Sequence, residues 1–206
     1  MQRQRGKLFV IAAPSGAGKT SLVRALMQRQ PGLRFSISYT TRTRRPTEQD
    51  GRDYFFVERT EFERMIDAGE FLEHAQVFDN FYGTSQAQVE SMLTAGASVL
   101  LEIDWQGAQQ IRRALPECQS IFILPPSRAE LERRLRERGT DSDTVIARRL
   151  RDSIADMSHW NEFDYVVVND DFELATQQLE AIVTARGAAF HSDRSELQTL
   201  VPQLLG

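Results

Sequence analysis

Eight residues near the N-terminus carry the clearest chemistry in the chain: Ala13-Pro14-Ser15-Gly16-Ala17-Gly18-Lys19-Thr20. They fit the Gly-x4-Gly-Lys-Ser/Thr pattern of a phosphate-binding loop, with Ala13 standing where the first glycine is usual. Glycines at 16 and 18 let the backbone wrap closely and aim its N–H groups inward at phosphate oxygens. A helix that begins as the loop ends adds the positive end of its dipole. Lys19 can reach the outer phosphates of a nucleoside triphosphate, and the Thr20 hydroxyl can ligate Mg2+. Of the 25 basic residues 23 are arginine, and the two lysines are Lys7 and Lys19. A lysine at this position, in a chain that otherwise uses arginine, suits a site that needs a compact point charge.

The elements needed to present such a loop are legible on either side of it. Leu8-Phe-Val-Ile-Ala12 is a short apolar run of the kind that forms a buried strand. After the loop, Leu22, Val23 and Leu26 share one face of a helix predicted from Thr20 to about Arg29. Three more apolar runs, Ser98 to Ile103, Ser120 to Leu124 and Tyr165 to Val168, read as strands, each followed by helical sequence. Ser127-x-x-Glu130 is a capping box that opens one of these helices. A charged helix is predicted from near Ser142 past Met157, another from Phe172 to about Phe190, and a last one over Glu196 to Leu204. Strands alternating with helices predict an α/β fold, with a mostly parallel sheet flanked by helices. Residues 38 to 96 break the rhythm. Tyr54 to Val57 and Phe71 to Val77 read as strands around a helix begun by a second capping box, Thr60-x-x-Glu63, so an inserted α+β lobe is expected.

Composition narrows the function classes. At 206 residues, 41% hydrophobic and 26% charged, the chain can bury a core of its own without disulfides or metal. Its single cysteine, Cys118, has no intramolecular partner, which fits a reducing compartment. No apolar run approaches the length of a membrane span, and Leu8 to Ala13 is too short for a signal peptide despite Arg3, Arg5 and Lys7 before it. A cytoplasmic protein without a membrane partner is expected. The net charge of −4 disfavours nucleic acid as a partner. Positive charge is nevertheless clustered at Arg42, Arg44, Arg45 and Arg52, at Arg133, Arg134, Arg136 and Arg138, and at Arg148, Arg149 and Arg151, a distribution suited to small anions. A GTPase would need an Asn/Thr-Lys-x-Asp pattern, and no lysine follows position 19.

Beyond the loop, Thr40-Thr-Arg42-x-x-Arg45, Asp50-Gly-Arg-Asp-Tyr54-Phe-Phe, Phe71-Leu-Glu73, Tyr82-Gly-Thr84, Ile103-Asp104-x-Gln-Gly107 and Val168-Asn169-Asp170 occur in an order that resembles the guanylate kinases. The resemblance runs from about Leu8 to beyond Asp170. It implies a P-loop core over 1–37, 97–130 and 150–206, a GMP-binding lobe over 38–96 and a small helical lid over 131–149. It also implies ATP-dependent conversion of GMP to GDP, with ATP and GMP as small-molecule partners, Mg2+ as cofactor, and dGMP as a further acceptor. By the same resemblance, Ser38, Arg42, Arg45, Tyr54 and Tyr82 hold the GMP phosphate, while Glu73, Thr84 and Asp104 read guanine, with Glu102 beside them. ATP would lie on residues 13–20 with Arg134, Arg138 and Asn169. Lys19, Arg42, Arg134, Arg138 and Arg149 would act on the transferring phosphoryl group, and Thr20 and Asp104 would face the metal. Glu102 stands where many members of that family carry aspartate. Two other readings are a kinase for a different phosphorylated small molecule, such as ribose 1,5-bisphosphate, and an inactive guanylate-kinase-like interaction module. The first should lack the base-reading set and the second the loop chemistry, and both sets are present. The sequence leaves the oligomeric state open.

Overall fold

The computed structural model describes residues 4–77, 79–137 and 143–206. In chain order they form β1 (Leu8–Ala12), α1 (Lys19–Arg29), β2 (Leu33–Phe35), β3 (Tyr39–Thr40), β4 (Phe55–Phe56), α2 (Arg59–Asp67), β5 (Phe71–Val77), β6 (Asn80–Ser85), α3 (Gln86–Thr94), β7 (Ser98–Glu102), α4 (Trp105–Ala114), β8 (Gln119–Leu124), α5 (Arg128–Glu137), α6 (Asp143–Met157), β9 (Tyr165–Val168), α7 (Phe172–Val183) and α8 (Ser195–Leu205). Short 3-10 turns lie at Trp160–Glu162 and Ala188–Phe190. The larger sheet has the order β2-β7-β1-β8-β9, and its β2–β7 and β8–β9 pairs are parallel, as the alternation of strands and helices predicts. The smaller sheet, β4-β3-β6-β5, falls within the segment read as an insertion and is mainly antiparallel.

The chain divides into two compact units, one of residues up to Val10 with Gly32–Cys118, the other of Ile11–Pro31 with Gln119–Gly206. In the first, α2 covers the small sheet through Phe62, which is fully buried, and Met65. The Phe62 ring stacks on Phe71 at 4.5 Å and on Phe81 at 5.5 Å. Burial of a ring of this size contributes about 2–3 kcal/mol. Gly83 lies against this stack: a Cβ there would come within 2.9 Å of Phe71 and 3.0 Å of Phe62. The glycine between Tyr82 and Thr84 is thus required by packing on the opposite face of the strand from those two side chains. In the second unit, the apolar strands β8 and β9 are joined in register from Ile121–Tyr165 to Leu124–Val168, and α7 packs on α1. Arg194 fastens the C-terminal segment, donating from one guanidinium nitrogen to the carbonyls of Val166 (2.8 Å) and Phe190 (2.9 Å).

Three boundaries differ from expectation. Helix α2 starts at Arg59 rather than after Thr60, because Glu58 takes the extended N-cap conformation and Glu63 pairs with Arg59 at 2.8 Å instead of folding back as a capping-box partner. The strand predicted over Tyr54 to Val57 is reduced to Phe55–Phe56. At Ser127 the cap forms, the hydroxyl accepting from the Glu130 N–H at 3.1 Å, although the Glu130 carboxylate turns to Arg133 and Arg134. The helix from Phe172 stops at Val183, well short of Phe190. The Arg186 N–H bonds the Ala181 carbonyl and the Ala185 N–H bonds that of Ile182, with Ala185 at φ 62°: a Schellman ending whose left-handed residue is alanine rather than glycine. A left-handed alanine costs about 1 kcal/mol relative to glycine. Ala185→Gly is therefore expected to raise the melting temperature by roughly 2–4 °C, and a thermal melt showing no gain would mean that this ending carries no strain.

Candidate active site

The phosphate loop lies wholly within the second unit. Residues Ala13 to Ser21, without Ala17, line a cavity of about 200 Å3. Gly16 (φ 91°) and Gly18 (φ 92°) take left-handed backbone, which the sharp turn requires and which any side chain would strain. Both are also short of space. A Cβ on Gly16 would come within 2.9 Å of Leu131 on α5, and one on Gly18 within 2.4 Å of the Asn169 amide. Lys19 and Thr20 open α1, so the lysine and the hydroxyl stand at the positive end of that helix.

Several of the residues expected around the loop are tied to it in the structure. Asn169, buried at the end of β9, donates from Nδ2 to the Ala17 carbonyl at 2.7 Å, and its own carbonyl accepts from Arg134 at 3.0 Å. Arg134 is oriented by Glu130 at 2.7 Å, and its Nη1 is the one buried side-chain N or O atom without a hydrogen-bond partner among the described residues. Arg149 lies on α6, four residues before Ser153, whose hydroxyl donates to the Ser15 carbonyl at 3.1 Å. Ser153 was not singled out from the sequence, and with 138 positions separating it from Ser15 no local signal could have done so. Arg138, expected to act with Arg134, lies outside the described residues.

The first unit holds the other set. Arg42 sits over the rings of Tyr54 (5.5 Å) and Phe56 (5.8 Å), and the Tyr54 and Tyr82 rings are 6.0 Å apart. Ser38 is buried next to this group, its carbonyl accepting from Phe55 at 2.9 Å. Glu48, not foreseen, organises the arginines: Oε1 accepts from Arg42 at 2.7 Å and Oε2 from the Arg45 backbone N–H at 2.8 Å, while the Arg45 guanidinium stays largely exposed. Burial works against both charges of the Arg42–Glu48 pair, but their mutual bond outweighs it, raising the arginine and lowering the carboxyl. Burial, and then the charge of Glu102, push the Tyr54 hydroxyl up to about 12, so it remains a donor throughout the neutral range.

Glu73 and Thr84 are paired across β5 and β6. Glu73 is only 3% exposed, and its carboxylate accepts from the fully buried Thr84 hydroxyl at 2.6 Å. Asp104 caps α4, accepting from the Gly107 N–H at 2.8 Å. The space where a Gly107 side chain would stand is taken by Glu73, whose Oε2 is 2.5 Å from the position of that missing Cβ. Burial pushes the Glu73 carboxyl up to about 7, with the Thr84 bonds opposing and the Asp104 charge reinforcing the rise. Such a carboxyl costs nothing below the ordinary carboxyl pKa, where it is neutral both folded and unfolded. The penalty accumulates as pH rises from the ordinary carboxyl pKa to about 7, and above that it stays at roughly 3 kcal/mol. Glu73→Gln is therefore expected to gain on the parent between pH 5 and pH 8 by on the order of 5–10 °C in melting temperature; a gap independent of pH would show that Glu73 is not the titrating group.

A guanylate kinase family model matches residues 5–186 of the chain. The guanylate kinase of Methylococcus capsulatus is 54% identical over 98% of this chain and 99% of its own. That of Nitrosococcus oceani is 55% identical over 97% and 98% respectively. The crystal structure of guanylate kinase from Anaplasma phagocytophilum superposes with a TM-score of 0.75 at 36% identity, covering 96% of this chain and 95% of that one. On the match of this family model and of these relatives over nearly the whole chain, the chain belongs to the guanylate kinase family.

Proposed function

We propose that the chain transfers the γ-phosphoryl group of ATP to GMP, giving ADP and GDP. The observation that carries the reading is the buried Glu73 carboxylate beside Thr84 and Asp104. Guanine offers donors at N1 and at its 2-amino group to such an acceptor, whereas adenine has no donor at N1. A buried acceptor left unpaired is costly, so the site rejects AMP. In this reading 38–96 is the acceptor lobe and 131–149 the lid.

The phosphate of GMP is a dianion that Arg42, Arg45, Tyr54, Tyr82 and Ser38 are equipped to hold by charge-assisted hydrogen bonds. Because that phosphate is already an anionic nucleophile, no general base is needed. One of its oxygens forms the new bond to the γ-phosphorus while the bond from that phosphorus to the β-bridging oxygen breaks and ADP departs with the electron pair. The loop N–H groups, Lys19, Arg134, Arg138 and Arg149 offset the charge that spreads over the transferring group. The unpartnered Nη1 of Arg134 is a ready donor for a phosphate oxygen. The donor set also fits Mg2+: the Thr20 hydroxyl, a hard oxygen ligand, lines the phosphate cavity beside Lys19. Thr20 would hold the ion, which would supply charge neutralisation at the phosphates.

Two measurements test this. An ADP-release assay with ATP and Mg2+ should show turnover with GMP and dGMP and at least a thousandfold less with AMP, UMP, CMP or ribose 1,5-bisphosphate. Turnover with the bisphosphate alone would discard the guanine assignment. Guanine binds the ionised form of Glu73, so GMP binding near pH 6 should expel roughly one proton from this carboxyl. Calorimetry in buffers of different ionisation heat would measure it, and the Glu73→Gln variant should lose that proton; identical release from both would sink the base-reading role.

A further inference from the structure

Strand β5, which carries Glu73, is an edge of the smaller sheet. In an antiparallel ladder each residue sends its N–H and C=O to one side, alternately toward its partner strand and away from it. His74, opposite Gly83, sends both groups away from β6 to the unpaired edge. Gln110 of α4 meets them both. Its Oε1 accepts from the His74 N–H at 3.1 Å, and its Nε2 donates to the His74 carbonyl at 2.7 Å. The side-chain carboxamide stands in for the peptide group of a further strand, a role that needs one donor and one acceptor in a single planar fork.

The neighbouring residue depends on where β5 lies. Ladder register shifts between Phe71 and Glu73, so pairing with β6 is irregular at the point where the carboxylate is presented. The tolerance there is small, since Glu73 fills the place of the missing Gly107 side chain, and Gly107 precedes Gln110 by three residues on the same face of α4. We propose that Gln110 is a positioning residue for Glu73: by closing the edge of β5 against α4, it holds the carboxylate between Thr84 and Gly107. The inference rests on the reading of Glu73 as the guanine acceptor.

The test compares Gln110→Leu, which removes both bonds at similar volume, with Gln110→Glu, which keeps the acceptor and loses the amide donor. Gln110→Leu should raise KM for GMP about tenfold or more, with KM for ATP unchanged and kcat less affected, and Gln110→Glu should fall between it and the parent. A second readout does not require turnover. In nucleotide-free protein with 13C-labelled glutamate carboxyls, Glu73 should titrate above the ordinary carboxyl range, chiefly because it is buried. In Gln110→Leu its midpoint should move down toward the ordinary carboxyl range as water reaches the group. A folded Gln110→Leu protein with unchanged KM for GMP and an unchanged Glu73 midpoint overturns the proposal. If Gln110→Leu does not fold, Gln110→Met, which also lacks both bonds, gives the same two comparisons. If the parent protein does not use GMP at all, the reading of the previous subsection falls, and the Glu73 midpoint alone decides whether Gln110 positions it.

Discussion

A carboxylate removed from water must be neutralised, bonded or matched by a ligand, and the first unit is arranged around that demand at Glu73. Thr84 is supplied from the adjacent strand at a paired position, Gly107 yields its side-chain volume, and Asp104 starts α4 close enough for its charge to be felt. Packing elsewhere serves the same placement: the Phe62–Phe71–Phe81 stack sets the face of the sheet opposite the carboxylate, and Gly83 is bare because that stack leaves no room. None of these arrangements makes the empty site cheap. A group that is expensive to bury without a partner favours a ligand that brings matching donors, which is what the proposed base-reading role of Glu73 draws on.

The second unit solves the opposite problem. The proposed task of its loop is to collect negative charge with backbone N–H groups, whose direction depends on left-handed glycines. Glycine is floppy as well as permissive, so the loop is held from outside. Leu131 and Leu135 crowd Gly16, the Asn169 amide grips Ala17, and Ser153 holds Ser15. Binding energy then goes into the phosphates rather than into ordering the loop.

How much of this was legible in the sequence depended on distance along the chain. The phosphate loop is eight consecutive residues, and the strand and helix that bracket it are periodic, so loop and setting could both be read directly. The parallel sheet followed from apolar runs alternating with helices. Helix ends were less secure, because a capping box is a local offer that other contacts can outbid, as Arg59 does for Glu63. The ending at Ala185 gave no glycine to mark it. Glu73 could be singled out mainly through its resemblance to a family motif, with the apolar Phe71 and Leu72 before it as the one local sign of burial. Glu48, Ser153 and Gln110 were silent for a stronger reason: each matters through one contact made by the folded chain, and residue type alone does not encode it.

The contact between Gly18 and Asn169 has a consequence for how such a chain can vary. The amide that steadies the loop occupies the volume that a side chain at 18 would need, and it also bonds the neighbouring Ala17 carbonyl. Neither residue can therefore drift alone: enlarging one evicts the other, and shrinking the other leaves a carbonyl unanswered without relieving the left-handed backbone. Two positions 151 apart in sequence are bound into a single heritable unit, a small epistatic lock that mutation must open on both sides at once.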